Sequence, residues 1–348
     1  MRLEVVVNSV ERTILNESLR LQSQLGKQIS TAEFIIEGGS VPSMGQVVAI
    51  DRGPAPFVNC AIIPAPAIGG AATYLDNYFG GYVAQIAVLQ EGITPRYHIV
   101  VQDYNVRTTR KLVTESYVAS TLKTIVDDLF SKYLPEFDTS EVENTVDTIT
   151  IDWTRQKMNL CLDELANIFG KVWFIQHCKK VQFFTPAADT APFILSDEPF
   201  GTSHIAYENI QHVEDGTDIV KTITVVGDGV VETRTKGDGD DADYEDKFVD
   251  NNIDTAAWAQ EVGDAIIAEK GIAKVDGQLT CKQEGLVIGQ KVAIKNDIRG
   301  VDAQYIIQSL SLSMEGPLQE RVSVKYGDYS EDFVTMMARL KRLELQEA

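Results

Sequence analysis

Gly45-Gln46-Val47-Val48-Ala49-Ile50 stands early in the chain, and Gly289-Gln290-Lys291-Val292-Ala293-Ile294 stands late in it. Each is a Gly-Gln turn that enters a short apolar run of the kind that forms half-buried β-strands. The match extends downstream of each run. Tyr82-Val83-Ala84-Gln85 corresponds to Tyr305-Ile306-Ile307-Gln308. Each continues as an alternating strand to Glu-Gly, at Glu91-Gly92 and Glu315-Gly316, with one extra residue in the second copy. Each then passes through another strand to Asp-Tyr, at Asp103-Tyr104 and Asp328-Tyr329. A single Gly-Gln entry is ordinary turn chemistry. Several matches in one order point to two similar β modules in one chain; the competing reading is two unrelated β domains with similar turns.

The repeat has a geometric consequence. A closed ring needs identical or similar units repeated about an axis. A chain with two similar modules gives a six-fold-like ring from only three copies. The large difference between the copies is the uncharged stretch from Gly53 to Leu75, which enlarges the first. Pro54, Pro56, Pro64 and Pro66 would break a membrane-spanning helix there, so it reads as a loop. Phe57, Ile62, Ile63 and Ile68 make it apolar, and it either plugs a lumen, grips a neighbour or packs on its own domain.

Between the two β-rich parts the periodicity changes. From Val118 to Leu134 the apolar positions Leu122, Ile125, Val126, Leu129, Phe130, Tyr133 and Leu134 have helical spacing. Ser116 or Ser120 is placed to cap this helix, and Pro135 ends it. Thr148 to Ile151 reads as a strand. Met158, Cys161, Leu162, Leu165, Ile168 and Phe169 mark a second helix, with Gly170 at its C-terminal cap. Val172–Ile175 and Val181–Phe184 form a hairpin. Thr255 to Lys270 reads as a further helix that Gly271 could end, and a last one starts near Ser330. The expected organisation is a β module over 1–105 with a loop insertion at 51–80 and an α/β domain over 106–190. A second β module comes next over 191–329, with an acidic loop at 236–254 and a helix, and then a C-terminal helix over 330–348. The fold class is α+β, predominantly β.

Composition limits the function. The chain has 348 residues, which suggests two or three domains. It is 44% hydrophobic and 24% charged, enough to build cores without a metal or disulfide staple. The start of the chain has no apolar signal region, so synthesis and retention in the cytoplasm are expected. The net charge of −20 argues against adhesion to nucleic acid. It fits a merely soluble acidic surface, and equally a surface past which DNA slides while its phosphates are repelled.

Catalytic signatures are missing. There is no Gly-X-Ser-X-Gly elbow. Gly285 to Lys291 fails as a phosphate loop, because Lys291 does not directly follow the second glycine and Val292 stands where a Ser or Thr is needed. Cys60, Cys161, Cys178 and Cys281 are scattered, as are His98, His177, His204 and His212, and none has a partner at ligand spacing. Asp238 to Asp243 fails the calcium-loop pattern at Ala242 and Asp243. No catalytic residue, metal ligand or cofactor is therefore assigned. Two other functions stay open: a cell-wall hydrolase using two carboxylates, and a carbohydrate- or receptor-binding component using Trp173, Phe174, Phe183 and Phe184.

Taken together, several stretches resemble the hub proteins of tailed-phage baseplates and tail tips. They are Gln102-Asp103-Tyr104, Arg110-Lys111-Leu112-Val113, Ser120 to Val126, the strand–helix–hairpin unit from Ile149 to Phe184, Gly285 to Gln290, Tyr305 to Ser309 and Gly327-Asp328-Tyr329. The resemblance runs from about residue 45 onward, and residues 51–80 depart from it. It implies two tube-like β-barrel or sandwich modules flanking the α/β domain. It also implies a homotrimer whose pseudo-hexameric ring joins a six-fold tail tube to a three-fold tip. Implied partners are a distal tail or tail-tube ring protein, a tape-measure protein, and a tip, spike or receptor-binding fibre protein. DNA would pass through without specific binding. Some relatives carry a C-terminal lytic domain, and none is expected here.

Overall fold

Alternating burial along the strands is the organising feature. Thr31–Glu37 and Arg96–Asp103 bury every second side chain, as strands do when one face packs on a core and the other does not. The computed structural model describes residues 3–8, 10–15, 18–24, 29–52, 62–64, 73–75, 77–90, 94–176, 179–185, 190–198, 203–236, 244–251, 253–282, 286–314 and 320–328. The fold is α+β and predominantly β. The chain divides into two compact units. One comprises Met1–Ile210 with Gln278–Tyr326, the other Gln211–Gly277 with Gly327–Ala348.

The early strands are β1 (Leu3–Val7), β2 (Val10–Arg12), β3 (Arg20–Gln24), β4 (Thr31–Glu37) and β5 (Val47–Arg52). They continue with β6 (Ile62–Pro64), β7 (Thr73–Leu75), β8 (Asn77–Gln90) and β9 (Arg96–Asp103). Six of these runs close a barrel. β1 pairs with β2 and β5, β5 with β8, β8 with β9, and β9 with β4, all antiparallel. The run after β2 returns to β4, through an Ile14–Ile36 bridge and the bond from the Leu15 N–H to the Ile35 carbonyl. Val5, Phe34, Val48, Ile50, Phe79, Ile99 and Val101 are fully buried inside. Each stabilises the barrel by about 1.5–3 kcal/mol.

A middle segment comes next. Residues Tyr104–Arg110 form a 3-10 helix, then come β10 (Leu112–Thr121), α1 (Leu122–Tyr133), β11 (Thr148–Lys157), α2 (Met158–Phe169), β12 (Val172–Ile175) and β13 (Val181–Phe184). The helices bury Leu122, Ile125, Val126 and Leu129 from α1, and Met158, Cys161, Leu162 and Leu165 from α2, in one core. α1 starts later than its apolar pattern predicts. β10 stays paired with β11 up to Thr121, and Thr121, not Ser116 or Ser120, accepts from the Thr124 N–H as the cap. Gly170 caps α2 in the left-handed conformation, at φ 59°, with the Lys171 N–H reaching back to the Ala166 carbonyl.

The chain then runs through β14 (Thr190–Ser196) and β15 (His204–Asp215). Next come β16 (Thr222–Val226), β17 (Val231–Thr235), β18 (Glu245–Val249) and α3 (Ala256–Lys270). Last are β19 (Lys274–Cys281), β20 (Lys291–Asn296), β21 (Val301–Met314) and β22 (Glu320–Gly327). A second barrel closes in the order β21-β20-β14-β15-β19-β22, with β22 returning to β21. Leu195, Leu279, Val292, Ile294, Ile307, Val324 and Tyr326 are fully buried in it. It differs from the first barrel in one respect: β14 enters parallel to both β20 and β15. In the second unit, α3 lies on the β17-β16-β18 sheet over Ile223, Val225, Trp258, Val262 and Ile266. Thr255 caps α3, accepting from the Trp258 N–H. Gly271 ends it at φ −76°, so it is needed for room and not for handedness: a Cβ there would meet the Ile267 carbonyl oxygen at 2.4 Å.

Candidate functional site

The two Gly-Gln turns are built alike, atom for atom. Gly45 and Gly289 sit at φ 78° and 82°, a left-handed conformation that glycine adopts without strain. The Gly45 N–H donates to the Val83 carbonyl and the Val83 N–H returns to the Gln46 carbonyl, each at 2.9 Å. In the second barrel the Gly289 N–H donates to the Ile307 carbonyl at 2.9 Å and the Ile307 N–H to the Gln290 carbonyl at 3.0 Å. Each glutamine locks its own turn. Gln46 Oε1 accepts from the Ser43 N–H at 3.0 Å, and Gln290 Oε1 from the Val287 N–H at 3.4 Å.

These bonds make Val83 the counterpart of Ile307. Tyr82 therefore corresponds to Ile306, one residue away from the Tyr82–Tyr305 match in the sequence. A one-residue slip turns a side chain to the opposite face of a strand, and the two tyrosines do point differently. Tyr82 is half-buried against the middle segment, edge-on to Tyr104 at 5.3 Å and under the Arg107 guanidinium. Tyr305 is buried beside Tyr326, with ring centroids 5.3 Å apart. A β-bulge between Val83 and Gln85 shifts the register of β8, leaving Gln85 exposed.

The aspartates that close each copy are also built alike. The Asp103 N–H donates to the Ser30 carbonyl at 3.0 Å while Asp103 Oδ2 accepts from the Ser30 N–H at 2.9 Å. The Asp328 N–H donates to the Val275 carbonyl at 3.3 Å while Asp328 Oδ2 accepts from the Val275 N–H at 3.0 Å. Each aspartate thus replaces a missing ladder partner at the start of β4 or β19. Asp103 goes further. It also accepts from the Asn105 N–H and from Asn105 Nδ2, and Asn105 Oδ1 accepts from the Ile175 N–H of β12. This buried chain ties the first barrel to the middle segment. Burial pushes the Asp103 carboxyl up to about 7, against hydrogen bonds from Ser30 and Asn105 that favour its ionised form.

β3 joins the barrels. Its residues pair with β4 on one edge and with β21 on the other. Paired residues share a face, so Leu312, Leu21, Ala32 and Val101 form one buried row across both barrels. The adjoining row on the opposite face is Ser311, Gln22, Thr31 and Gln102, all polar and uncharged. Gln22, Gln278, Gln308, Ser309, Ser311, Ser323 and Lys325 line a shallow depression of about 430 Å³ on this sheet. The next row holds Ser313, Arg20, Glu33 and Val100, and His98 lies 3.7 Å from Glu33. This face is mixed in charge and not the acidic surface that a net charge of −20 suggests.

Other sequence candidates take no part in this joint. Phe57, Ile68 and Tyr329 lie outside the described residues, as do the core of the acidic loop and the C-terminal helix. Ile62 and Ile63 lie on β6, whose backbone pairs with β7. Among the described residues no group of His, Cys, Asp and Glu is placed to hold a metal. Cys161 is a buried free thiol whose pKa burial pushes up to about 12, so it is chemically inert. Of the hairpin aromatics, Trp173 and Phe183 are stacked in the core with Trp173 Nε1 donating to the buried Asp163, while Phe174 and Phe184 are half-buried. β3 as a connector and the Ser30 and Val275 brackets carry no motif that would have announced them.

No protein-family model matches this sequence, and no curated protein matches it. Solved structures do. The 43 kDa tail protein of prophage MuSo2 from Shewanella oneidensis is similar with a TM-score of 0.70 at 13% identity, over 97% of this chain and 99% of that one. The tail protein from Neisseria meningitidis MC58 is similar with a TM-score of 0.67 at 10% identity, over 96% and 98%. The E. coli c3393 protein gives a TM-score of 0.54 at 12% identity, over 94% and 77%. That protein is a component of the type VI secretion system and has structural similarity to the T4 bacteriophage tail proteins gp27 and gp5. At these identities the likeness is one of fold, and it spans nearly the whole chain. The chain has the fold of phage and prophage tail proteins.

Proposed function

We propose that this chain is a structural component of a phage tail or related injection machine, sited at its distal end after synthesis in the host cytoplasm. It acts there by assembly and not by catalysis. Three copies form a ring that is six-fold in barrels and three-fold in chains, and so joins a six-fold tail tube to a three-fold tip. The observation that carries this reading is the pair of barrels in one chain, each with the same glycine turn and the same aspartate bracket. A tail-tube ring on one side, a tip or spike on the other and a tape-measure protein within are the partners this role requires.

The joined sheet supplies a surface for the lumen. Its polar face presents serine, glutamine and threonine across both barrels, with Glu33 offset by Arg20. Neutral hydroxyls and amides do not condense on phosphate as clustered lysines do, so DNA slides past without being held. The first test is mass. Native mass spectrometry of the purified chain is expected to give three times 38.4 kDa; a monomer at micromolar concentration, or an even-numbered species, rejects the ring.

A further inference from the structure

The cations of the middle segment fall into two groups. In the first, every side chain is engaged. Arg107 pairs with Glu136, Lys123 with Asp127, Lys132 with Glu115 and Asp128, Lys171 with Glu143 and Lys180 with Glu141, while Lys179 lies over the Tyr104 ring. The second group is Arg110, Lys111, Arg155 and Lys157. None of these four forms an ion pair among the described residues. The backbone brings them together. Leu112 pairs with Lys157, and Val113 with Gln156, in the β10–β11 ladder. The Met158 N–H donates to the Lys111 carbonyl at 3.0 Å, and Arg110 ends the 3-10 helix beside Lys111. Arg155 sits in a bulge of β11, where its N–H donates to Thr114 Oγ1 at 3.0 Å. Its φ of 53° is a left-handed conformation that glycine adopts without strain and arginine does not. A bulge of this kind re-aims the side chain it carries.

The local chain supplies no counter-charge. Residues 104–114 and 153–162 contain no aspartate or glutamate, in a protein that has 51 of them. The acids just beyond are occupied. Glu115 is held by Lys132 and Tyr133, Asp163 by Trp173 and Glu164 by Trp153. Asp152 stands further along the ribbon, opposite Ser116. The positive end of α2 adds to the same potential. Lys157 is its N-cap and makes no side-chain capping bond, and the first turn holds no acid. Two leucines project from this surface: Leu112, opposite Lys157, is 50% exposed, and Leu160, in the first turn of α2, is 48% exposed. Exposed apolar side chains rimmed by charge mark an interaction surface, and the sign of the rim selects the partner.

We propose that this patch docks an acidic, leucine-bearing segment of a partner protein. The segment's carboxylates pair with Arg110, Lys111, Arg155 and Lys157, and its apolar side chains cover Leu112 and Leu160. DNA is the poorer fit. Its phosphates would have to approach a chain of net charge −20, and they would leave both leucines uncovered. The patch lies within the middle segment of one chain, so the proposal stands whether or not the chains form a ring.

The test uses the full chain and a short fluorescein-labelled peptide of repeating Glu-Leu-Glu units, read by fluorescence anisotropy. The wild type is expected to bind it saturably at about 100 μM or below. Binding should weaken severalfold on going from low to high salt. Arg110→Glu combined with Lys157→Glu should weaken it on the order of 30-fold. Lys236→Glu combined with Lys247→Glu makes the same charge change in the second unit and should leave it within about twofold. Leu112→Ser, or a peptide with serine in place of leucine, should each weaken it about fivefold. All the substituted side chains are exposed, so circular dichroism should match the wild type. A wild type that does not bind the peptide overturns the proposal, as does an equal loss in the two charge-reversed proteins. Double-stranded DNA or phosphatidylglycerol vesicles that bind more tightly than the peptide, and are lost in the Arg110→Glu, Lys157→Glu protein, overturn the protein segment as the occupant.

Discussion

Replacing Asp103 with alanine should cut the link between the first barrel and the middle segment, and should do so in a pH-dependent way. The Asp103 carboxylate accepts from the Ser30 N–H at 2.9 Å, the Asn105 N–H at 3.1 Å and Asn105 Nδ2 at 2.9 Å. All three residues are buried. Leaving a buried donor without a partner costs about 1–3 kcal/mol. Asn105 can turn its amide, so two backbone N–H groups and part of a third donor are lost, or about 4 kcal/mol by that scale. Against this stands the cost of burying the charge. The folded carboxyl titrates at about 7, while an unstructured one titrates near 3.8. A pKa raised on folding adds stability that is complete below the unfolded value and is lost as pH rises through the folded value. Between pH 4 and 7 the loss is about 1.4 kcal/mol per pH unit. The cost of Asp103→Ala should thus be about 4 kcal/mol near pH 4 and about 1.4 kcal/mol less at pH 5. Urea midpoints of the two proteins at each pH, monitored by tryptophan fluorescence, measure it. Comparing the pair at one pH cancels the distant titrating groups. A cost below about 1 kcal/mol, or the same cost at both pH values, would refute the reasoning.

Close contacts set the remaining outcomes. Gly81→Ala should destabilise by roughly 3 kcal/mol or more, because its Cβ would sit 2.1 Å from the Gln102 carbonyl oxygen in the β8–β9 ladder; denaturant unfolding checks it. Gly45→Ala meets no atom within 4 Å and should cost only the left-handed backbone, about 1–2 kcal/mol. A Gly81→Ala variant as stable as Gly45→Ala would mean that the ladder yields at that point. The Cys161 thiol should resist alkylation at pH 8 in the native protein and react once urea unfolds it, as mass spectrometry of the labelled peptide will show.

The parts of this fold that were legible in the sequence are those set by neighbours in the chain. α2 was marked by apolar spacing and Gly170, the β12–β13 hairpin by its aromatic runs, and the two turns by Gly-Gln. The start of α1 differs because Val118 fits the helical spacing, yet Tyr117 and Ser120 on either side pair with β11 and hold Val118 in a bulge of β10, where it is 75% exposed. The Tyr82–Tyr305 match misled because it aligned residue types, whereas the turn bonds make Val83 equivalent to Ile307 and so set Tyr82 against Ile306. Nothing local marks β14 as parallel to β20, since its partner lies beyond the whole of the second unit's insert. Nor does Ser30 or Val275 look like the partner of an aspartate; two backbone groups meet there, and backbone groups leave no residue-type signal.

The central claim is that two equivalent barrels per chain make a six-unit ring from three chains. Electron microscopy of the purified assembly, or of tail ends bearing it, tests this most directly. Averages computed without imposed symmetry should show a ring of six similar densities about an open centre, alternating in two kinds so that the true symmetry is three-fold. A ring with six-fold symmetry in chains, or a particle with two-fold symmetry, would contradict the account.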